Sequence, residues 1–341
     1  MQTVLDEASD HADAKRHESD HARLTRLIRQ EGLLDRRPGY YTAKIITNAA
    51  LFAAGWIGFA LLGNTWYQLL IAAFMAVLFT HIAFLGHDIG HRQVFRTRRA
   101  AEVAGVIHGN LATGLSRGWW VDKHNRHHSH PNHVGKDPDI ADGVIAWTPE
   151  QAGRRRGASR FLARRQGQLF FPLLLLEGLN LHVSSVRALK EQPVRRRWIE
   201  GGMLLVHGVA YLGALFTVLS PGKAVVFLAV HKAVFGLYMG STFAPNHKGM
   251  PIFGADEKID YLRRQVLTSR NVRGGRMTDF LLGGLNYQIE HHLFPSMPRP
   301  SLRRARPIVQ AYCRDHGIAY CETGLLTSYR HALRYLNEVG S

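Results

Sequence analysis

The 341-residue sequence predicts an all-α integral membrane protein whose spans pair into two hairpins. Three observations predict it. Four long apolar runs come in two pairs, each pair joined by three or four turn residues. Basic residues avoid those turns and crowd into the rest of the chain. Three histidine clusters at helical spacing lie just outside the apolar runs, where converging helices would aim them at metal ions.

The averages hide this pattern. Hydrophobic residues make up 46% and charged residues 20%, and the mean hydropathy is near zero, as in an ordinary globular protein. Lys and Arg number 43 against 26 Asp and Glu, a formal net charge of +17. Histidine, at 20, is well above an ordinary share. The two cysteines, Cys313 and Cys321, are too few for a disulfide scaffold or a cysteine-based zinc site. The solidly apolar stretches exclude whole-chain disorder.

Residues 1–40 are polar and carry no apolar core of a signal peptide, so they are expected to form a cytosolic tail. His11, His17 and His21 in that tail are expected to be solvated. Residues 45–62 form the first span: eighteen helical residues rise about 27 Å, close to the hydrocarbon thickness of a bilayer. Gly63, Asn64 and Thr65 break it, and residues 66–85 return. Residues 202–219 and 224–244 repeat the pattern around a turn at 220–223. A fifth apolar stretch, 170–181, is short and carries Pro172 and Glu177, which reads as interfacial or re-entrant. The organisation expected is a tail over 1–40, a membrane domain over 41–300 and a cytosolic C-terminal helical segment over 301–341.

The two turns hold a single lysine between them. The tail, the 86–167 stretch, the 183–198 stretch and the C-terminal third hold nearly all the other basic residues. Two hairpins put those four regions on one side, which the positive-inside rule makes cytoplasmic, with both termini. Runs such as Arg154–Arg156 and Arg195–Arg197 suit anionic headgroups, so membrane lipid is the expected partner of the charge. Nucleic acid is not, since no aromatic platform or reading module accompanies it.

His87-Asp88-Ile89-Gly90-His91 follows directly on the second span. His124-Asn125-Arg126-His127-His128 lies in the middle polar stretch. Gln288-Ile289-Glu290-His291-His292 lies after the fourth span, and Asn246-His247 sits at that span's end. On a helix, positions i, i+3 and i+4 share a face, so each cluster aims its imidazoles one way. Seven or eight imidazoles exceed the four ligands of one structural zinc and suit two metal ions with open positions. His130 and His133 flank Pro131, which should end the helix, and are not counted as ligands. His81, His207 and His231 lie inside spans, where core hydrogen bonds are expected. His108 and His182 carry no ligand spacing, and His316 and His331 read as surface positions.

The ordered boxes HDIGH, HNRHH and QIEHH, with Leu293-Phe294-Pro295-Ser296-Met297-Pro298 after the third, resemble the membrane fatty acid desaturases. The similarity covers about residues 40–300 and is greatest to the branch whose third box begins with Gln, the front-end and bacterial acyl desaturases. The resemblance implies four spanning helices, a cytosolic helical cap and a di-iron centre. Carried over by position, it implies His87, His91, His124, His127, His128, His291 and His292 as ligands, with His247 as the ligand after the fourth span. Gln288 stands where the family usually has His, and its amide oxygen would bind iron or hold a water; Asn246 would likewise hold a metal-bound water. Asp88, Asp122, Asp137, Asp139 and Glu290 are candidates to accept from the outer nitrogens of the ligating rings.

The implied reaction places a cis double bond in a fatty acyl chain with O₂ as co-substrate. Zinc would be expected to compete for the same site in purified protein, since affinity alone does not exclude it. The acyl group would ride on CoA, a carrier protein or a lipid. No haem-binding HPGG, GxGxxG or four-cysteine iron–sulfur spacing occurs, so a separate ferredoxin or cytochrome with its reductase is expected to bring electrons. Two alternatives stay open. One is a related di-iron hydroxylase or ketolase of alkyl or isoprenoid chains. The other is a metal-transporting or storing membrane protein, which would want ionisable residues along its spans.

Overall fold

A computed structural model describes residues 19–191 and 194–341. Helix α1 (Asp20–Gln30) starts at Ser19, whose hydroxyl accepts from the Ala22 N–H at 3.2 Å. Helix α2 (Pro38–Leu62) opens on proline and stops at Gly63, whose φ of 57° suits glycine alone in so tight a turn. Helix α3 (Gln68–Gly90) runs back beside it. Gln68 Nε2 donates to the carbonyls of Phe59 (2.6 Å) and Gly63 (2.9 Å), so the end of α2 leaves few bare acceptors in apolar surroundings. The same helix continues past the apolar run through His87 and Asp88, because nothing breaks it before Gly90.

Helix α4 (Arg98–Val106) passes into a π-helical segment, Ile107–Thr113, which ends at Gly114 in the left-handed region (φ 72°). Helix α5 (Arg117–Ser129) is capped by the Ser116 hydroxyl. Short helices α6 (Pro149–Gly153) and α7 (Gly157–Arg164) lead to α8 (Gln166–Glu191). Helices α9 (Arg197–Val218) and α10 (Pro221–His247) make the second hairpin. The two tight turns touch: the Ser220 N–H donates to Asn64 Oδ1 (3.1 Å) and Lys223 Nζ to the Asn64 carbonyl (2.7 Å).

Among the described residues five helices, α2, α3, α8, α9 and α10, are long and apolar enough to cross a membrane by length and composition. The sequence reading expected four such runs and a short fifth one. Instead residues 170–181 lie within the continuous 26-residue α8. Tertiary packing explains the difference. A Cβ on Gly178 would lie 2.2 Å from the Lys232 carbonyl oxygen, and one on Gly236 would lie 2.3 Å from Gly178 N. The backbones of α8 and α10 are thus in contact, and that contact carries the helix beyond its apolar stretch.

The C-terminal third continues with α11 (Tyr261–Leu267), β1 (Asn271–Arg273), α12 (Arg276–Leu281), α13 (Gln288–Leu293), α14 (Arg299–Asp315), β2 (Glu322–Gly324) and α15 (Leu325–Gly340). β1 and β2 pair in parallel, Asn271 opposite Glu322, so the fold is mostly rather than wholly helical. A second apolar core lies apart from the long helices. Leu24 and Ile28 of α1 meet Leu262 and Val266 of α11, Ile289 and Leu293 of α13, and Leu302 and Val309 of α14. The expected polar tail is therefore partly a docked helix, held by the period-four leucine and isoleucine on its inner face. His21 is not solvated: it packs edge-on against Tyr261 (4.6 Å) and stacks on Phe294 (5.6 Å). His11 and His17 lie outside the described residues.

Gly178→Val should force α8 and α10 apart. The expected cost is about 1–3 kcal/mol, as for overpacked cores, read as a lower melting temperature of the detergent-solubilised protein.

Candidate metal centre

Four elements bring the histidines together. The last turn of α3 carries His87, with His91 one residue past its end. Helix α5 carries His124, His127 and His128, and α10 ends on His247. The six-residue α13 presents Gln288, His291 and His292 in the i, i+3, i+4 register. The eight rings fall into two groups. Nitrogens of His87, His91, His124, His128 and His291 lie within 4.8 Å of one another, and so do those of His127, His247 and His292. His130 caps α5 and His133 turns to the backbone of Val134 and Glu257, so Pro131 separates them from the cluster as expected.

The inward nitrogens mostly face one another, and His247 Nε2 also meets the Gln288 amide. Nε2 of His87 and His291 are 3.1 Å apart, those of His124 and His128 3.1 Å, and those of His127 and His247 3.3 Å. Several of these rings are committed by their outer nitrogens. His87 Nδ1 donates to Asp88 (3.2 Å), His127 Nδ1 to Asp137 (3.0 Å), His247 Nδ1 to the Thr268 carbonyl (2.9 Å) and His292 Nδ1 to Gln265 Oε1 (3.0 Å). A neutral imidazole that donates at Nδ1 has only a lone pair at Nε2. His247, whose Nδ1 donates to Thr268, therefore turns a lone pair inward, toward His127 Nε2 and the Gln288 amide. Two ligands on right-angled bonds of about 2.1 Å would stand about 3.0 Å apart, close to the observed spacings. Nε2 of His91 and of His292 is buried with no hydrogen-bond partner. The donor set thus fits two metal ions of the imidazole-binding kind.

The electrostatics agree. Burial, then the neighbouring rings, push His91, His124, His128, His291 and His292 well below the ordinary imidazole range, which keeps them neutral donors. Burial opposes charge on His127 too, but Asp137 and Asp139 outweigh it and raise it. Burial would raise Asp139; Lys123, 2.6 Å away, holds it below its usual range instead.

The five acidic candidates divide. Asp88 and Asp137 accept from ligand rings, and Asp139 stands 3.6 Å from His127 Nδ1. Asp122 instead makes a surface pair with Arg126. Glu290 turns away, accepting from Asn271 Nδ2 (2.7 Å) and the Tyr320 hydroxyl (2.8 Å). The i+2 step from Gln288 puts it on the opposite face of α13. Gln288 Nε2 lies 2.9 Å from His247 Nε2, and Asn246 reaches Gln288 Oε1 (3.2 Å) rather than a ring. The histidines in the long helices make the expected core bonds: His231 with Tyr211 (2.6 Å), His81 with Tyr238 (3.3 Å) and His207 with the Leu111 carbonyl (2.9 Å).

Sequence reasoning missed several supports. Gln265 both accepts from His292 and donates to the His128 carbonyl (2.8 Å), tying α11 to two boxes. Arg299 grips Asp88 at 2.7 Å. Trp120 stacks on His124, ring centroids 4.5 Å apart. Only Trp120, one helical turn before His124, had a spacing signal. A cavity of about 330 Å³ borders His87, His124, His127, His247 and Gln288, and its remaining walls are largely apolar, including Trp119, Phe170, Leu181 and Met239.

A family model described as fatty acid desaturase matches residues 64–324. The chain belongs to the fatty acid desaturase family. It is 33% identical over 333 residues to an acyl-lipid (9-3)-desaturase of Physcomitrium patens, covering 94% of this chain and 62% of that protein. It is 32% identical over 321 residues to the Delta(5) fatty acid desaturase fat-4 of Caenorhabditis elegans (90% and 70%), and 30% over 315 residues to a Delta(8)-fatty-acid desaturase of Euglena gracilis (89% and 74%). The chain thus spans between about three fifths and three quarters of these relatives' length. Family and apolar helices together make this desaturase-family chain a membrane protein.

Asp137→Ala is expected to weaken metal binding about 10–100-fold, as loss of a carboxylate behind a ligating ring does. Metal per chain after dialysis against a chelator measures it. Asp122→Ala should leave that content unchanged.

Proposed function

We propose that the chain is a membrane-bound fatty acyl desaturase that introduces a cis double bond with O₂ and two external electrons. The observation that carries the proposal is a metal-fitting histidine cluster on the wall of a largely apolar cavity. The desaturase names of its relatives favour this over a hydroxylase or ketolase. The balance is one –CH₂–CH₂– unit, O₂, two electrons and two protons to one –CH=CH– unit and two waters.

The metals we assign are two iron ions. His87, His91, His124, His128 and His291 would hold one, and His127, His247 and His292 the other. Iron there would supply the oxygen activation that removing hydrogen from an unactivated methylene requires. The chain's own residues do the rest. Asp88, Asp137, Thr268 and Gln265 fix the rings with Nε2 inward. Phe170, Leu181 and Met239 line the space for the alkyl chain and exclude water from it. Gln288 completes the smaller group: turned half round, its amide presents oxygen where Nε2 now meets His247, as a direct ligand or a holder of water. Asn246 Nδ2 donates to Gln288 Oε1 before that turn, so the Asn246 amide turns with it and its bare Oδ1 would then accept from Gln288 Nε2. The electron donor is a separate ferredoxin or cytochrome with its reductase.

The topology we favour has four spans, with termini and histidines on the cytoplasmic side and the second apolar core as a cytosolic cap. The contact between Asn64 and the 220–223 turn supports it. Turns that touch lie on one side, so α3 ends and α9 begins on the other. An even number of crossings must separate those ends, and α8 is the single long apolar helix between them among the described residues. Helix α8 therefore lies at the interface. In sealed vesicles, cysteines at Asn64 and Ser220 should react from one side and a cysteine at Asn125 from the opposite side; reaction of Asn64 and Ser220 from different sides would sink the topology.

Expression in a host lacking desaturases should yield new monounsaturated acyl chains by mass spectrometry. His128→Ala and His292→Ala should abolish them while membrane insertion persists. Gln288→Leu should impair turnover more than folding; two irons and a normal rate in that variant would remove Gln288 from the site.

A further inference from the structure

Walls that shelter an alkyl chain from water also keep bulk protons from it, yet the reaction consumes two protons for each O₂. A side chain on the cavity wall must then carry them. Ligand rings aside, the ionisable groups there are His108, Arg117, Lys123, Asp139, Glu177 and Lys248. Most are committed. Lys123 Nζ pairs with Asp139 Oδ1 at 2.6 Å, which makes Asp139 the anion of that pair. Lys248 Nζ donates to the Asp139 carbonyl (3.3 Å) and lies 3.8 Å from the Trp147 ring centre. His108 Nδ1 donates to the Ala104 carbonyl (2.8 Å), and a guanidinium does not give up its proton.

Glu177 is left. It has no ion pair among the described residues, and its hydrogen-bond partner there is Asn180, whose Nδ2 donates to Glu177 Oε2 at 3.1 Å. Its place on α8 has no packing rationale. Leu174, Glu177 and Leu181 line the cavity at i, i+3 and i+7, while Leu175, Leu176 and Leu179 between them are exposed. A leucine at 177 would continue the inner stripe without the cost of desolvating a carboxyl. Asn180, one helical turn on, is exposed. With α8 at the interface, as argued above, Asn180 stands within reach of water. Glu177 therefore joins an outward-facing amide to the cavity that His124, His127 and His247 border.

We propose that Glu177 is the proton donor of this cavity, handing over one at a time the two protons that O₂ consumes per turnover and regaining each from water on the Asn180 side. For each proton the Glu177 O–H bond breaks and an O–H bond forms on the oxygen being reduced. The carboxylate left behind takes a proton from water, so Glu177 ends unchanged. No electron passes through it: two come from the external donor, and two leave with the two hydrogens of –CH₂–CH₂–. The proposal rests on the acyl-desaturase reading above.

The test uses the full chain in nanodiscs and two readouts. Zinc has no redox chemistry, so zinc-loaded protein turns nothing over and its infrared spectrum reports the resting carboxyl. The parent should show a protonated-carboxyl C=O band that shifts when D₂O replaces H₂O, is absent in Glu177→Gln and is displaced in Glu177→Asp. A spectrum that both substitutions leave unchanged overturns the proposal. The second readout is turnover of the iron-loaded protein with a chemical reductant. Glu177→Gln should lower kcat about 100-fold at unchanged KM, as loss of a positioned acid does, and raise the peroxide released per O₂. Glu177→Asp, which keeps the acid, should recover most of the rate. A normal kcat in Glu177→Gln, or a raised KM with kcat unchanged, overturns the proposal, the latter by making Glu177 a substrate contact. If Glu177→Gln fails to fold, the displaced band and recovered rate of Glu177→Asp decide, and their absence overturns it. If the parent reduces O₂ to water but forms no double bond, the desaturase reading fails, and the infrared band with the peroxide yield still decides Glu177.

Discussion

Buried imidazole nitrogens turned toward one another are the constraint on which the rest of this structure depends. Eight rings converge from α3, α5, α10 and α13, and several are fixed from behind by groups that accept a hydrogen bond at Nδ1. Burial keeps most of these rings neutral, so they can offer lone pairs to a cation. The cluster is built for cations. Its cost when bare is borne by packing elsewhere, above all by the second apolar core, which seats α11 and α13 against α1 and α14.

The long helices hold the other half of the site in place by close backbone approach. Gly178 and Gly236 let α8 lie directly on α10, which positions Phe170, Leu174 and Leu181 along the same cavity that His247 borders. The touching turns at Asn64 and Ser220 lock the opposite ends of the two hairpins. Between them they align the ends of α3 and α10, so that His87 and His247 face a common space.

Much of the site was legible because its signals are local. Register within one helix turn aims His124, His127 and His128 together, and Pro131 excludes His130 and His133. The same register turned Gln288 toward the cluster with His291 and His292, whereas Glu290, expected behind a ligating ring, faces Asn271 and Tyr320 instead. What failed were inferences about partners distant in sequence. Asp122, adjacent to a box, pairs with Arg126 at the surface, while Gln265 and Arg299, outside every box, hold ring and carboxylate in place. His21 was expected in solvent and is packed against Phe294, some 270 residues away.

The sequence by itself determined the long apolar helices, their two tight turns and the inward-facing ring sets, because each follows from hydrophobic length or helical period over a few residues. The tertiary structure alone decided the division of eight histidines into groups of five and three, the extension of 170–181 into a 26-residue helix and the parallel pairing of Asn271–Arg273 with Glu322–Gly324. Those depend on distances between elements separated by tens to hundreds of residues. Side-chain periodicity fixes the direction of a ring along its own helix, but only the packing of one backbone on another fixes which ring it meets.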